Sequence, residues 1–174
     1  YERLSRMIAD MLFLAKADEG RIVPSRERLE LAPLLDDLLE FHRFLAEDKA
    51  VAIVRIGDGT IHGDALMIRR AIGNLLSNAL RYVPAGGWIE ATVRSDAGQV
   101  RIEIANSGEP IPAEHLTRLF DRFYRVDAAR TGEGGHSGLG LAIVKSIVEA
   151  HGGRVTVSSM EGATRFVMSF AATT

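Results

Sequence analysis

The chain has 174 residues, a formal net charge of −2 and no cysteine. The near balance of charge argues against a nucleic-acid partner, and the missing cysteines exclude disulfides, iron–sulfur clusters and thiolate zinc sites. With 47% hydrophobic residues, the chain can bury the core of one domain of ordinary size plus one extra element. No apolar run approaches the ~20 residues that a membrane-spanning helix needs, and no signal peptide is evident.

The first predicted element is an amphipathic helix over residues 1–18. Leu4, Met7, Met11 and Leu14 follow one another at spacings of three and four residues, which places them on one helical face. Such a seam is typical of a helix that packs against another helix, although packing on its own domain stays open. Because the sequence opens inside this pattern at Tyr1, we expect the chain to be a piece of a longer protein.

Helices and strands then alternate along the chain, as hydrophobic periodicity and turn residues indicate. We predict strands over 28–31, 51–56, 60–62, 88–95, 99–106, 154–158 and 164–170, and helices over 32–48, 64–82, 112–120 and 139–151. Asp64 is the expected N-cap of the helix over 64–82, and residues 125–137 are expected to be irregular. Two or three helices against one mixed sheet predict an α/β (α+β) sandwich of two layers.

The helix over 64–82 carries two asparagines, Asn74 and Asn78, on one face of an otherwise aliphatic stretch. Buried amides are costly without partners, and each asparagine taken alone is explained by a structural hydrogen bond. Arg81 and Tyr82 follow one turn later. The set offers amide oxygens for a hard cation, a guanidinium for phosphate and an aromatic ring for a base. Together these side chains favour a nucleotide site.

Two further stretches are rich in glycine or end a strand. GEGGHSGLGLAIV, at 132–144, lacks the lysine and hydroxyl residue of a P-loop, and no strand directly precedes Gly138 as a dinucleotide fingerprint requires. What remains is a glycine segment at a helix start, where backbone amides and the helix dipole favour an anion. IANSGEPIP, at 104–112, ends a strand with an asparagine and a glycine, which suits either a plain turn or the close approach of a flat ligand.

Four segments, in this order, resemble the N, G1, F and G2 boxes of the catalytic ATP-binding domain of sensor histidine kinases: NLLSNALRY, IANSGEPIP, LFDRFYRVD and GLGLAIV. That family shares the Bergerat fold with gyrase and Hsp90, and DMLFLAKAD and GEPIP are similar to its heavy-metal, copper/silver-responsive branch. The resemblance implies that ATP and Mg²⁺ bind, and that the γ-phosphoryl passes to a histidine on an upstream helix and then to a response-regulator aspartate. It further implies the cytoplasmic portion of an inner-membrane bacterial sensor kinase, homodimeric at full length. Residues 1–20 would be the second helix of the dimerisation and phosphoacceptor domain, and residues 21–174 the catalytic domain.

The resemblance also assigns roles to individual residues. Asn78, aided by Asn74, would hold Mg²⁺, and Arg81, Arg125 and Arg130 would support catalysis by contacting phosphate. The implied ATP-binding residues are Asn74, Asn78, Arg81, Tyr82, Asn106, Gly108, Ile111, Phe123, Arg125, Ser137, Gly138, Leu139, Gly140, Leu141 and Thr164. Residues 132–137 would form a lid over ATP, whose base Phe120 and Phe123 would anchor by burial.

Two positions depart from the wider pattern. Asn106 stands where the family has an aspartate that accepts a hydrogen bond from adenine; its amide oxygen can accept the same bond without charge, so Asn106→Asp is expected to tighten ATP binding. Asn74 stands where hydrolytic members of the superfamily place a water-activating glutamate, which favours transfer over hydrolysis. The rival functions are an ATP-driven clamp of the same fold and a nucleotide-binding docking module without transfer activity.

The five histidines do not match the phosphoacceptor motif of the resembled family. We expect them to be surface, lid or turn residues: His42, His62, His115, His136 and His151. The chain is therefore expected to bind ATP without phosphorylating itself.

Overall fold

The structure is a computed structural model that describes residues 1–126 and 137–172. Its helices are α1 (Glu2–Asp18), α2 (Leu31–Asp48), α3 (Ala65–Tyr82), α4 (Ala113–Leu116) and α5 (Gly140–Ala150). Its strands are β1 (Glu27–Glu30), β2 (Ala52–Ile56), β3 (Thr60–Gly63), β4 (Trp88–Asp96), β5 (Gln99–Ser107), β6 (Arg154–Met160) and β7 (Ala163–Ala171). The predicted elements are confirmed, with most ends shifted by a residue or two, except the helix predicted over 112–120, of which only α4 is present.

The main sheet has five strands in the order β2-β4-β5-β7-β6. It is mixed, because β2 runs parallel to β4 while the other neighbours are antiparallel. The expectation that one sheet holds every strand is wrong for β1 and β3, which pair with each other. Each of these two strands runs directly into a helix, β1 into α2 and β3 into α3, so the pair lies at the helix starts.

The core lies between the helices and one face of the sheet. Alternate residues of the central strands β5 and β7 are buried: Val100, Ile102 and Ile104, and Phe166, Met168 and Phe170. The opposite face is polar, and Arg165 there donates to Glu103 at 2.8 Å. This alternation is typical of a sheet with one face against a core and one toward water. The two-layer α/β arrangement is confirmed.

Helix α3 is fixed at both ends. At its start, the Asp64 carboxylate accepts a hydrogen bond from the Met67 amide at 3.1 Å, as expected of an N-cap. At its end, Lys49 Nζ donates to the Leu80 carbonyl at 2.9 Å, where a cation also complements the helix dipole. The helix that carries Asn74 and its neighbours is therefore held in place independently of any ligand.

His151 supports the start of α3 from the end of α5. Its Nε2 accepts a hydrogen bond from the Asp64 amide at 3.0 Å, and its Nδ1 lies 2.7 Å from the Ile147 carbonyl, so the ring is neutral with the proton on Nδ1. Burial lowers the pKa of His151. Partial burial alone would raise the pKa of Asp64, but backbone hydrogen bonds from Ser25 and Met67 bring it below its ordinary value.

The expectation that the histidines lie on the surface, in the lid or in turns is wrong for His42, which is buried on α2. His151 lies in the turn that ends α5, and its side chain is buried there. The His42 ring bonds the Leu38 carbonyl one turn earlier, at 2.7 Å, and lies 3.5 Å from Ser77 Oγ on α3. Each of these two buried rings satisfies its polar atoms by hydrogen bonds among the helices.

Helix α1 packs on the rest of the chain near α5, with Leu14 fully buried. Asp10 forms an ion pair with Arg70 of α3, whose guanidinium also lies 4.7 Å from the Phe13 ring centroid. Four large apolar residues of the helix stay exposed: Leu4, Ile8, Met11 and Leu12. Within the described residues, no helix has the length and apolar character to cross a membrane.

The helix predicted over 112–120 is only four residues long. Beyond Leu116 the chain makes tighter turns, in which the Arg118 amide bonds the His115 carbonyl and the Asp121 amide bonds the Arg118 carbonyl. These bonds span three residues rather than the four of an α-helix. The segment therefore leads into the F box as successive turns.

Candidate functional site

Asn74 of α3 lies beside the start of α5. Asn74 Nδ2 donates to the Gly140 carbonyl at 3.1 Å, which joins the N box directly to the G2 box. This bond uses the amino half of the amide and leaves Oδ1 as an acceptor. Asn78 lies one turn further along α3 and is half-buried. Asn74 therefore lies at the contact between α3 and α5, with Asn78 one turn away on the same helix.

The start of α5 has the properties of an anion site. Leu139 at the N-cap is fully buried and makes no side-chain cap bond, so the amides of the first turn have no side-chain acceptor from the cap. A Cβ built at Gly140 would lie 3.9 Å from Asn74 Nδ2, so α5 approaches the asparagine without crowding it. The helix dipole adds partial positive charge here. Amide oxygens for a cation and amides for an anion thus lie side by side, which fits a magnesium-bound phosphate group.

Phe123 and Gly138 meet at the base of the predicted lid. The Phe123 amide donates to the Gly138 carbonyl at 2.9 Å. Gly138 has a φ of +74°, and a Cβ there would lie 2.8 Å from Phe123 Cα. Only glycine fits this combination of a left-handed backbone and close contact. A main-chain hydrogen bond and close backbone packing therefore join Phe123 to Gly138.

The expected burial of Phe123 is wrong. Its backbone has a φ of +63°, and its side chain is 53% exposed. Burial near this base comes instead from Leu119 and from Phe120, whose ring packs edge-on against Phe166 at 6.0 Å between centroids. Phe120 thus makes the predicted contact with the core, while Phe123 contributes through its backbone.

Tyr124, the next residue, is held from the side of α4. Its hydroxyl bonds His115 Nδ1, and the Arg118 guanidinium lies 4.5 Å from its ring centroid. Arg122, on the other side of Phe123, forms an ion pair with Asp18 of α1. The F box is thereby connected both to α4 and to α1.

The charge of Arg125 acts on the guanidinium of Arg81. Burial lowers the pKa of Arg81, the neighbouring Tyr82 hydroxyl opposes this effect, and the charge of Arg125 lowers the pKa further. Two guanidinium groups that repel each other are stabilised by an anion bound near both. Arg130 and the lid residues 132–136 lie outside the described residues.

Asn106 lies in the core-facing row at the end of β5, where it is the register partner of Thr164 on β7. Both side chains are buried. Asn106 Nδ2 donates to the Ser107 carbonyl at 2.9 Å, so its Oδ1 is the half of the amide left for a ligand. Gly108 follows with a φ of +146°, and a Cβ there would lie 3.3 Å from the Tyr82 carbonyl. The G1 turn is therefore packed against the end of α3.

Four further predicted ATP-binding residues make contacts near these segments: Ile111, Ser137, Leu139 and Leu141. The Leu139 amide lies 3.4 Å from Ser137 Oγ, Leu141 packs partly buried against the core, and the Ile111 amide bonds Ser159 Oγ at 2.8 Å. Sequence reasoning missed Ser159. The signal for it was its spacing from Val155 and Val157, which places it on the core-facing side of β6.

Residues 63–174, more than half of the chain, match the family model described as histidine kinase-, DNA gyrase B-, and HSP90-like ATPase. The chain belongs to this ATPase family. Its four boxes and the adjoining ends of α3, β5, α5 and β7 all fall within the matched range.

Similar proteins are named as sensor kinases. Sensor histidine kinase CusS of Escherichia coli strain K12 is 48% identical over 171 residues, which cover 98% of this chain and 36% of CusS. Probable sensor kinase SilS of Salmonella typhimurium is 47% identical, over 97% of this chain and 35% of SilS. The crystal structure of full-length ShkA in complex with AMPPNP superposes with a TM-score of 0.85 at 26% identity, over 98% of this chain and 36% of ShkA. The chain spans about a third of the length of these curated relatives.

Proposed function

We propose that this chain is the ATP-binding catalytic core of a two-component sensor histidine kinase. It delivers the γ-phosphoryl of Mg²⁺-bound ATP to a histidine on an upstream helix, for relay to a response-regulator aspartate. The observation that carries the proposal is the Asn74–Gly140 hydrogen bond, which joins a side chain proposed to bind Mg²⁺ to a helix start suited to phosphate. Similarity to sensor histidine kinase CusS and to ShkA with bound AMPPNP supports it.

The residues of the site would act by positioning and by neutralising charge, which is most of what phosphoryl transfer requires. Asn74 and Asn78 offer amide oxygens to Mg²⁺, and the first turn of α5 offers amides to phosphate. Arg81 lies at the end of α3 and, together with Arg125, whose charge acts on it, would bring positive charge to the phosphates. Mg²⁺, when bound, would supply further charge neutralisation on the phosphate oxygens.

Asn74 also explains why transfer would prevail over hydrolysis. An amide cannot take a proton from water at neutral pH, so it cannot act as the general base of an ATPase. Its amino group is, moreover, engaged by the Gly140 carbonyl. Hydrolysis of bound ATP would therefore be slow, and the γ-phosphoryl group would be transferred to the phosphoacceptor histidine instead.

The partners and setting follow from the same proposal. The upstream phosphoacceptor helix would lie beside α1, as part of a homodimer to which the exposed Leu4 and Met11 contribute. The response regulator would receive the phosphoryl group from that histidine. The resemblance to the copper/silver branch, together with the similarity to CusS and SilS, supports a heavy-metal response in the cytoplasmic portion of an inner-membrane kinase.

Calorimetric titration of the chain with Mg²⁺-ATP, with phosphate release followed in the same sample, tests the proposal. We expect binding with negligible hydrolysis, and labelling of a histidine-bearing upstream helix added in trans. Asn78→Ala should abolish Mg²⁺-dependent binding, whereas Ser77→Ala, which alters the neighbouring residue on the α2 side, should not. Brisk hydrolysis would instead indicate an ATP-driven clamp, and absence of binding would leave only a docking module.

A further inference from the structure

Three polar residues form one row across the core-facing side of the sheet. Asn106 on β5 is the register partner of Thr164 on β7, and Thr164 is the partner of Ser159 on β6. The next core-facing residues along these strands are apolar, as Ile104 and Phe166 show. The core is therefore closed at this end by side chains that can hydrogen-bond.

Ser159 connects two of the predicted ATP-binding residues. Its Oγ accepts a hydrogen bond from the Ile111 amide at 2.8 Å and lies 2.9 Å from Thr164 Oγ1. A hydroxyl has one hydrogen to donate and two acceptor positions. The Ile111 amide occupies one acceptor position, and the Ser159 hydrogen stays available to Thr164. When Ser159 donates this hydrogen to Thr164 Oγ1, Thr164 keeps its own hydrogen for a third group.

We propose that Ser159 is a positioning residue that sets the base selectivity of the nucleotide site, an inference that rests on the proposed function. With its amino half bonded to Ser107, Asn106 presents an acceptor. In the arrangement in which Ser159 donates to Thr164 Oγ1, Thr164 presents a donor beside it. Adenine offers an amino donor next to a ring-nitrogen acceptor, which complements this pair. Guanine offers a carbonyl acceptor next to an N–H donor, which opposes it at both atoms.

The same hydroxyl fixes the G1 turn. Ile111 lies in this turn, and its amide has Ser159 as its hydrogen-bond acceptor. Ser159 thus reaches the base site by two routes, through the Thr164 side chain and through the main chain at Ile111. Its removal should weaken recognition of the base without altering Asn78 or Arg81 at the phosphate end.

The test compares Kd values for Mg²⁺-ATP and Mg²⁺-GTP by calorimetry. Loss of one neutral hydrogen bond predicts that Ser159→Ala weakens ATP binding about five- to tenfold and lowers the ATP-over-GTP preference by a similar factor. Ser159→Thr retains the hydroxyl and should keep the preference. Ser158→Ala is the matched control, because Ser158 is the register partner of Arg165 on the other face of the sheet and should leave both constants unchanged.

The outcomes separate this inference from the proposed function. If the unmodified chain binds neither nucleotide, the proposed function fails. If it prefers ATP and Ser159→Ala keeps that preference, only the role of Ser159 is overturned. Ser159→Cys, which keeps the side-chain volume but hydrogen-bonds weakly, provides the same comparison should the alanine variant unfold: its ATP preference must fall, and an unchanged preference refutes the inference.

Discussion

Replacing Gly138 by alanine should damage both the fold and the nucleotide site. At a φ of +74°, an L-residue costs about 1–2 kcal/mol more than glycine. The new Cβ would also lie 2.8 Å from Phe123 Cα and 3.0 Å from its carbonyl carbon, so the backbone must separate. Losing the Phe123–Gly138 hydrogen bond costs about 1 kcal/mol more. The sum is a loss of about 2–3 kcal/mol in the free energy of unfolding.

Gly152→Ala is the matched control for this change. Gly152 has nearly the same φ, +73°, but a Cβ there meets nothing within 4 Å. This variant should therefore lose only the cost of the left-handed backbone, about 1–2 kcal/mol. The difference between the two variants isolates the contact at the lid base.

Urea unfolding gives the two stabilities, and calorimetric titration with Mg²⁺-ATP gives the affinities. We expect Gly138→Ala to bind ATP at least about tenfold more weakly, because displacement of the lid base moves the start of α5, and a change of 1.4 kcal/mol corresponds to that factor. Gly152→Ala should bind ATP as the unmodified chain does. Equal stabilities of the two variants, with unimpaired ATP binding by Gly138→Ala, would refute the reasoning.

Two further predictions concern titration and base recognition. Burial holds the pKa of His151 below its ordinary value of 6.5, so the unfolded chain takes up the proton at a higher pH than the folded chain does. The neutral His151 ring therefore makes its full contribution to the free energy of unfolding above pH 6.5, and this contribution is lost as the pH falls toward the folded-state pKa. Urea unfolding from pH 8 to pH 5 should show this loss, and His151→Gln should be less stable at pH 8 but change less with pH; an unchanged slope would contradict the assignment. Asp64 has a pKa below 3.8, so its contribution is present above that value and is lost at lower pH. Asn106→Asp should tighten Mg²⁺-ATP binding, since a charged acceptor forms the stronger hydrogen bond, and a calorimetric Kd that stays the same or rises would count against direct contact with the base.

Local signals in the sequence sufficed for most of the fold. The aliphatic periodicity of α3, with Asp64 before it, predicted both the helix and its cap, and the structure confirms them. The pairing of β1 with β3 could not be read in this way, because the choice of a strand partner depends on contacts distant in sequence. Four residues per strand carry too little pattern to specify it.

The candidate site was predictable where chemistry depends on residue type, and less so where it depends on the backbone. Asn74 and Asn78 are visible as amides at helical spacing, and the structure places Asn74 beside the start of α5. The conformation of Phe123 was not visible, because left-handed geometry in a residue other than glycine is imposed by its surroundings. Ser159 was missed because the predicted strand ended at Ser158, whereas β6 extends to Met160 and pairs Ser159 with Thr164.

The attachment of α1 at two separate points has a mechanical consequence. Asp10 and Asp18 lie eight residues apart, about 12 Å along the helix axis. Asp10 forms an ion pair with Arg70 on α3, and Asp18 forms an ion pair with Arg122 beside the lid base. A rigid helix attached at two points cannot rotate about one attachment without displacing the other. Rotation of α1 would therefore break one ion pair or move α3 relative to the F box.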